Sequence, residues 1–334
     1  MKWNYLIPKS SCTVRIRGPI RLIEKRQPKR FAVSLGSHRG IYTGDIANGR
    51  SHGRGIYKWW ENGRFGSYSG WWVDGRLSRG RLGCPNGDSY EGGFLHYKFH
   101  GVGALKHTNG DSYEGGFRNG MFSGEGKLRT HGAVYTGSFV DNRYLYGTLT
   151  DRDGATYTGS FSNNRRHGSG VQTFPDGSKY TGEFADDTFS GFGSLCYGDG
   201  RRYDGEFSAG LRHGAGTLRC VDGSVYKGGF SAGLRHGTGT LTRADGSVYK
   251  GEFSAGAPQG TGTLTYADGS VYAGEISAGA PHGAGTLTYA DGDMYRGGFR
   301  AGVAHGPARY TYANGSYADC VYQCGVPFST QADL

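Results

Sequence analysis

Residues 208–299 read SAGLRHGAGTLRCVDGSVYKGGF, SAGLRHGTGTLTRADGSVYKGEF, SAGAPQGTGTLTYADGSVYAGEI and SAGAPHGAGTLTYADGDMYRGGF, four consecutive blocks of 23 residues that are close copies of one another. Looser copies continue upstream. The motif Tyr-x-Gly recurs at spacings of 22 or 23 residues, and once of 26, at Tyr42, Tyr68, Tyr90, Tyr113, Tyr135, Tyr157, Tyr180, Tyr203, Tyr226, Tyr249, Tyr272 and Tyr295. Such a period indicates a repeat architecture in which each unit packs against its neighbours.

Within one block the apolar residues alternate with polar ones, which predicts β-strands rather than helices. An Asp-Gly pair separates the two alternating runs and predicts a turn. The residues that share a face are Gly214, Gly216 and Leu218 in the first run, and Tyr226, Gly228 and Phe230 in the second. Each block is therefore predicted to form a β-hairpin.

The face that each side chain occupies fixes the length of the hairpin loop. A two-residue Asp-Gly turn would move Leu218 to the face opposite Tyr226, because a slip of one residue inverts a strand. A three-residue loop with Gly223 in the left-handed conformation keeps both on one face. This loop predicts three cross-strand pairs, with Phe230 lying over Gly214, and glycines that leave room for aromatic rings. The pairs are Leu218 with Tyr226, Gly216 with Gly228 and Gly214 with Phe230.

Hairpins joined edge to edge give an all-β chain, an elongated single-layer antiparallel β-hairpin repeat solenoid of about 12–13 units. We assign residues 40–318 to this solenoid, residues 1–39 to a basic N-terminal arm and cap, and residues 319–334 to a C-terminal cap and tail. A thirteenth unit is placed at Tyr317, where the motif reads Tyr-Ala-Asp and lacks its glycine. The face opposite the aromatic residues carries Ser, Thr, Lys and Glu and is predicted to be solvated.

These motifs resemble the MORN (membrane occupation and recognition nexus) repeat, whose units carry Tyr-x-Gly-x-Phe, His-Gly-x-Gly-x-Leu and Asp-Gly. The resemblance covers about residues 40–318. It departs from the pattern where Ile46, Trp72 and Ile276 replace the Phe, and in the units after Tyr68 and Tyr135. The resemblance implies scaffolding, membrane attachment or the accessory region of an enzyme, as in axonemal radial spokes, cytoskeletal collars and the junctophilins.

Composition excludes several classes of protein. The 64 glycines among 334 residues are too many for an ordinary core, while the 24 Tyr, 17 Phe and 5 Trp are too many for a disordered chain. The six cysteines form no Cys-x-x-Cys pair, so neither a disulfide framework nor a zinc site is predicted, and a reducing compartment is expected. No apolar run is long enough to span a bilayer.

The positive charge is concentrated at the N-terminus. The whole chain has a formal net charge of +10, and residues 1–40 hold ten Lys or Arg against the single acid Glu24. We predict that this arm contacts an acidic partner, for which tubulin, phospholipid and RNA are options and nucleic acid is the least favoured. The candidate residues are Arg15, Arg17, Arg21, Lys25 and Arg26.

A second candidate for partner binding is a tryptophan cluster in the repeat with the 26-residue spacing. Trp and Arg are the residues that most often anchor interfaces, and Arg64, Arg76, Arg79 and Arg81 lie nearby. The alternative is a terminal cap that covers the end of the aromatic ladder. The four residues are Trp59, Trp60, Trp71 and Trp72.

Recurring polar residues do not point to catalysis. Seven His-Gly histidines would lie about 10 Å apart in neighbouring units, too far to share a zinc ion, so a structural role is favoured. Ser, His, Asp and Glu recur on an open sheet rather than in a unique pocket, so no enzyme, cofactor or metal site is expected. Phosphoinositide binding, proposed for the family, would need a stripe of cations; only a local site around Lys227, Lys250 and Arg296 is kept open.

We therefore expect a non-catalytic structural scaffold or spacer for protein–protein interactions in a large assembly. A cytoplasmic, cytoskeleton-associated location is expected, with a radial-spoke-like role in the axoneme of a cilium or flagellum as the finer hypothesis. Axonemal components and tubulin are the candidate partners, and a weak contact with anionic lipid and a homodimer stay open. The alternative function is a peripheral membrane or phosphoinositide-binding tether.

Overall fold

The computed structural model describes residues 23–25, 30–35 and 38–330 of the chain, and side chains over residues 40–327. Every regular element among them is a β-strand, and each assigned strand pair is antiparallel. The all-β prediction is confirmed. The chain divides into two compact units at residues 175 and 176, and each unit is described by itself.

In the first unit, consecutive strands pair in a meander within a single layer. Its strands are β1 (Ile23–Lys25), β2 (Arg30–Leu35), β3 (His38–Ala47), β4 (Arg50–Glu61), β5 (Arg64–Val73), β6 (Arg76–Gly83), β7 (Ser89–Leu95), β8 (Lys98–Lys106), β9 (Ser112–Arg118), β10 (Met121–Thr130), β11 (Ala133–Val140), β12 (Arg143–Thr150), β13 (Thr156–Ser162) and β14 (Arg165–Thr173).

The second unit repeats this arrangement with more uniform strand lengths. Its strands are β15 (Lys179–Ala185), β16 (Thr188–Cys196), β17 (Arg202–Ser208), β18 (Leu211–Arg219), β19 (Val225–Ser231), β20 (Leu234–Thr242), β21 (Val248–Ser254), β22 (Ala257–Thr265), β23 (Val271–Ser277), β24 (Ala280–Thr288), β25 (Met294–Arg300), β26 (Val303–Thr311), β27 (Tyr317–Gln323) and β28 (Val326–Thr330).

The loop between β18 and β19 has the predicted length of three residues. Cys220 donates its amide hydrogen to the Ser224 carbonyl over 2.8 Å, and Gly223 donates to the Cys220 carbonyl over 3.1 Å. Gly223 has φ +87°, which glycine adopts without steric cost. All three predicted cross-strand pairs between β18 and β19 are present, so the register argument is confirmed.

A second, tighter turn joins each hairpin to the next. Between β19 and β20 it consists of Ala232 and Gly233, with φ of +48° and +83°. Two consecutive residues with positive φ form the turn whose twist suits antiparallel strands. Gly233 also donates its amide hydrogen to the carbonyl of Arg212 over 2.9 Å, which ties the turn to the preceding hairpin.

The core is a ladder of tyrosine rings on one face of the sheet, here called the ladder face; the other side is the open face. In all twelve repeats that carry Tyr-x-Gly, the tyrosine hydroxyl donates to the carbonyl three residues later, at 2.7–3.0 Å. Tyr226 illustrates the packing: it meets Phe230 and Phe253 edge to face, with centroids 5.2 and 4.7 Å apart. Such pairs each contribute about 0.5–1.5 kcal/mol beyond burial.

The prediction that the Phe230 ring covers Gly214 was wrong. A Cβ on Gly214 would meet the carboxylate of Glu206, and Gly214 has φ +57° at an irregularity in the β17–β18 pairing. The carboxylate also accepts the amide hydrogen of Ala215 over 3.0 Å. The rings lie instead over the next glycine of the strand, with Tyr203 over Gly216.

The thirteenth repeat, formed by β27 and β28, lies one residue away from the predicted position. Ala318 rather than Tyr317 takes the position of the repeat Tyr and pairs with Tyr310. The reason is that the 23-residue step from Tyr295 ends at Ala318. Tyr317 lies on the open face, 58% exposed, with the guanidinium of Arg309 4.2 Å from its ring centroid. Tyr322 takes the place of the repeat Phe and meets Tyr295 edge to face.

At the N-terminal end, β2 pairs with β3 along its whole length. Strand pairing therefore begins before residue 40, within the segment assigned to the arm. The domain limits at 39/40 and 318/319 stay predictions.

Candidate interaction surface

A groove of about 1070 Å³ crosses the open face of the first unit from β3 to β9. Its floor is the backbone of a row of glycines that pair with one another across six neighbouring strands. Six strand spacings of about 4.8 Å give the groove a length of about 29 Å. The glycines of the floor are Gly55, Gly70, Gly80, Gly92, Gly103 and Gly115.

The tryptophan cluster is divided between the two faces of the sheet, because neighbouring residues of a strand point to opposite sides. Trp59 and Trp72 are 5% and 1% exposed and belong to the ladder. The indole nitrogen of Trp72 donates to the Gly55 carbonyl over 3.3 Å. Trp60 and Trp71 are 57% and 50% exposed on the open face. Half of the cluster is thus a core element, and half is available to a partner.

The 26-residue spacing lengthens the hairpin of this repeat. Its β4–β5 hairpin is longer than the others, and its additional pairs lie next to the loop. There Trp59 stacks on Tyr57 with centroids 5.6 Å apart, while Trp60 pairs across the strands with the exposed Phe65.

Trp71 is the aromatic centre of the groove. Arg54 and Arg79 are its partners on the two neighbouring strands, and the guanidinium of Arg54 lies 5.2 Å from the Trp71 ring centroid. This is a cation–π distance. Neither Arg54 nor Arg79 has an ion pair within the described part of the chain.

The opposite wall carries both charge and apolar surface. Arg81 on β6 faces Glu91 on β7, and Glu114 lies on β9. Ile56 is half-exposed on β4 in this wall, whereas Val102 on β8, among the most exposed apolar residues of the described chain, lies on the same wall as Trp71. The groove is therefore cationic toward β4 and β6 and anionic toward β7 and β9, with Ile56 and Trp71 in the cationic half and Val102 in the anionic half.

The predicted basic contacts of the arm lie mostly outside the described residues, namely Arg15, Arg17, Arg21 and Arg26. Lys25 ends β1 and is paired with Arg30 through the backbone. Their role in partner binding stays a prediction.

The candidate lipid residues Lys227 and Lys250 lie in one row of the open face of the second unit. Thr240 separates them, because it pairs with both. Arg296 occupies the same row, next to Arg309. All three cations are exposed, but acidic residues such as Asp204 occur in the row as well.

The histidines of the His-Gly positions do not converge. Among the described residues, no three His, Cys, Asp or Glu side chains could hold a metal ion. Two described histidines have a close carboxylate: Nδ1 of His52, in the His-Gly motif, lies 3.4 Å from Oδ1 of Asp74, and Nδ1 of His107, outside it, lies 2.9 Å from Oδ2 of Asp88.

Four described cysteines are free thiols, namely Cys196, Cys220, Cys320 and Cys324. Cys84 is disulfide-bonded. The spacing of the cysteines did not indicate this bond.

Sequence reasoning did not select Arg54, Ile56 or Val102 as site residues. Their positions follow from the repeat, because Arg54 and Val102 lie between the two glycines of Gly-x-Gly, where side chains point to the open face. The sequence indicates Arg79 and Arg81 only as neighbours of the tryptophans. Extending the alternation along β4–β6 would have identified the groove wall.

Comparison with known proteins gives one family. The MORN repeat matches residues 42–59, 90–112, 113–130, 157–179, 180–201, 203–225, 226–248, 249–271, 272–294 and 295–317. The units that begin at Tyr68 and Tyr135 are not matched, although both form the same hairpin in the structure. No curated protein sequence matches the chain.

The described residues contain no helix with the length and apolar character needed to cross a bilayer. MORN repeats are non-enzymatic units, typical of scaffolds that contact proteins or membrane lipids. The ten matches cover more than half of the chain and coincide with the hairpins, the tyrosine ladder and the glycine row described above. The chain therefore belongs to the MORN repeat family.

Proposed function

We propose that this protein is a non-catalytic scaffold and spacer in a large cytoskeletal assembly, of the radial-spoke type found in axonemes. One observation supports this most directly: the near-identical blocks of residues 208–299 keep the same strand register from hairpin to hairpin. A further copy adds two strands, or about 10 Å of sheet, without adding new chemistry.

The contacts of the scaffold are assigned to other parts of the chain. The open-face groove of the first unit and the basic arm are the partner-binding elements, with the arm acting through Arg15, Arg17, Arg21, Lys25 and Arg26. Because exposed charges are screened beyond a Debye length of about 8 Å at physiological salt, arm-mediated binding weakens as salt is added. Tubulin or another acidic axonemal component is the proposed partner of the arm.

The experiment is detergent extraction of ciliated cells that express the tagged full chain. We expect the protein to remain with the insoluble axoneme, to leave it at raised salt, and to lose retention when the five arm cations are changed to Glu. A chain lacking residues 231–253 should stay bound, because its arm and groove are intact. Complete release by detergent at low salt would exclude the cytoskeletal assignment.

The second candidate is a membrane tether, favoured by the exposed row with Lys227, Lys250 and Arg296. Its test is sedimentation with vesicles that contain phosphatidylinositol bisphosphate. Binding by the full chain that is lost in K227E/K250E/R296E would establish this function in place of the first.

A further inference from the structure

We propose that the open-face groove binds an extended peptide segment of a partner protein whose acidic half lies toward β4 and β6 and whose basic half lies toward β7 and β9, with an apolar side chain of the acidic half seated on Trp71. This inference rests on the proposed function as a protein-interaction scaffold, and it specifies the chemistry of the partner. Trp71 lies on β5, between the cationic strands β4 and β6, with about half of its surface exposed. Exposed Trp next to Arg is the composition of energetically important positions in interfaces.

The cationic half of the groove selects the acidic half of the segment. Arg54, Arg79 and Arg81 lie on β4 and β6 around Trp71, and no ion pair neutralises them within the described part of the chain. A guanidinium binds a carboxylate through two parallel hydrogen bonds. Carboxylates of a partner would therefore satisfy these groups, and they would do so beside an apolar surface that lowers the local dielectric.

The two glutamates distinguish a peptide from a polyanion. Glu91 and Glu114 line the same groove on β7 and β9, so a nucleic acid or an anionic membrane would meet repulsion along half of its length. A peptide can match both ends, with acidic residues toward β4 and β6 and basic residues toward β7 and β9. The chain's own arm does not fit the cationic end, because ten of its first forty residues are Lys or Arg.

The dimensions set the length of the segment. A groove of about 29 Å accommodates about nine residues of extended chain, at about 3.3 Å per residue. The floor exposes backbone rather than side chains, so specificity lies in the walls. Ile56, Trp71 and Val102 supply the apolar contacts, and the charged groups fix the direction of the peptide.

The test uses the full chain and a library of random peptides of about 12 residues, long enough to span the groove. We expect selected peptides to carry Asp or Glu in one half and Lys or Arg in the other, with an aromatic or branched aliphatic residue within the acidic half, because Trp71 lies between Arg54 and Arg79. Trp71→Ala should weaken a selected peptide about tenfold or more, and R54E/R79E/R81E should abolish binding. R219E/R300E, which reverses exposed charges in the second unit, outside the groove, should leave the affinity unchanged.

A peptide with the same residues in reversed order provides the control for direction, because its composition and net charge are identical. We expect it to bind more weakly. Unchanged circular dichroism shows that each variant is folded. Selected peptides without charge polarity, or binding that survives R54E/R79E/R81E, would overturn the proposal.

Two further measurements identify another occupant if the groove does not bind a peptide. Phosphatidylserine vesicles that bind the wild type but not R54E/R79E/R81E would show a membrane site. Dimers in sedimentation that disappear in the same variant would show a second copy. The axonemal extraction is independent of these assays, so the groove proposal and the proposed function can fail separately.

Discussion

The phenol ring of Tyr226 lies directly over the backbone of Gly239 on the neighbouring strand, so that a Cβ at Gly239 would be 2.6 Å from Cε2 of the ring. Tyr226 pairs across the strands with Leu241 and Gly239 with Gly228. The ring therefore leans diagonally over the glycine row. This contact recurs along the ladder and explains why the second glycine of His-Gly-x-Gly has no side chain.

Replacing Gly239 by Ala should lower the free energy of unfolding by about 1–3 kcal/mol, because the new methyl group overpacks the ladder. Denaturation monitored by near-ultraviolet circular dichroism measures the change. Gly83→Ala is the control, since its Cβ would meet Ser67 Oγ at an ordinary 3.5 Å. In a Tyr226→Leu background the cost should shrink; an equal cost in both backgrounds would show that the ring is not responsible.

The sequence predicted the hairpin fold and its register because period-two alternation and the Asp-Gly loop are local signals. It did not predict which ring covers which glycine. The error at Gly214 arose because strand pairing gives the opposite residue, whereas a tyrosine ring is long enough to reach the diagonal neighbour. The tight turn was also missed, because Ala-Gly is not a typical pair for two residues with positive φ.

The sequence predicted the tryptophans of the candidate surface but not its groove. Proximity in sequence brought the four tryptophans together, but alternation along β4 and β5 places only Trp60 and Trp71 on the open face. The groove depends on seven strands from several repeats, and its charge polarity arises from residues that differ between repeats. No single-repeat pattern contains that information.

Replacing an alanine by Asn in a tight turn of the second unit should stabilise the protein. Ala255 has φ +48°, a conformation that costs a residue with a Cβ about 1–2 kcal/mol and that Asn tolerates better. The equivalent turn of the first unit uses Asn119, with φ +53°. We expect Ala255→Asn to raise the free energy of unfolding by about 0.5–1 kcal/mol.

Ala273→Asn serves as the matched control, because Ala273 is exposed in the middle of β23 and Asn disfavours strands. It should leave stability unchanged or lower it. A melting temperature for Ala255→Asn no higher than that for Ala273→Asn would contradict the turn argument.

Acid should weaken the contact that Asp88 makes between the three-residue loops of neighbouring repeats. Burial raises the pKa of this carboxyl, but hydrogen bonds from His107, Asn86 and the Thr108 amide outweigh burial and leave the pKa below its ordinary value. A lowered pKa contributes stability above the unfolded value of about 3.9, which is lost as pH falls through the folded pKa.

Asp88→Asn should therefore destabilise the protein by about 1–3 kcal/mol at neutral pH, since buried donors lose their acceptor. The difference from the wild type should shrink as pH falls below about 4. Urea denaturation at several pH values measures it. A difference that stays constant down to pH 2 would show that the charge of Asp88 does not stabilise the fold.

Alkali should unfold the tyrosine ladder cooperatively. Burial raises the pKa of Tyr272 to about 12, and the hydroxyl donates to the Glu275 carbonyl over 2.7 Å. Burial likewise raises the pKa to about 12 at Tyr42, Tyr90, Tyr180, Tyr203 and Tyr295. Each hydroxyl must be protonated for its ring to remain in the ladder. The losses of unfolding free energy at these tyrosines therefore add.

The sign follows from linkage. Below the unfolded pKa of about 10, tyrosine is protonated in both states and stability does not depend on pH. Between about 10 and 12 the unfolded chain loses protons first, so each buried tyrosine lowers the free energy of unfolding by up to about 1.4 kcal/mol per pH unit. Stability is thus complete below pH 10 and is lost as pH rises through the folded pKa.

Tyr272→Phe separates the hydroxyl from the ring. At pH 7 the variant should lose about 1 kcal/mol, because the Glu275 carbonyl loses its donor. Above pH 10 its stability should fall less steeply than that of the wild type, since one ionising group has been removed, and the two curves should converge or cross near pH 11. Denaturant unfolding between pH 8 and 12 gives both slopes. Parallel curves for the wild type and Tyr272→Phe would mean that this hydroxyl ionises equally in the folded and unfolded chains, and the tyrosine ladder would then not account for unfolding in alkali.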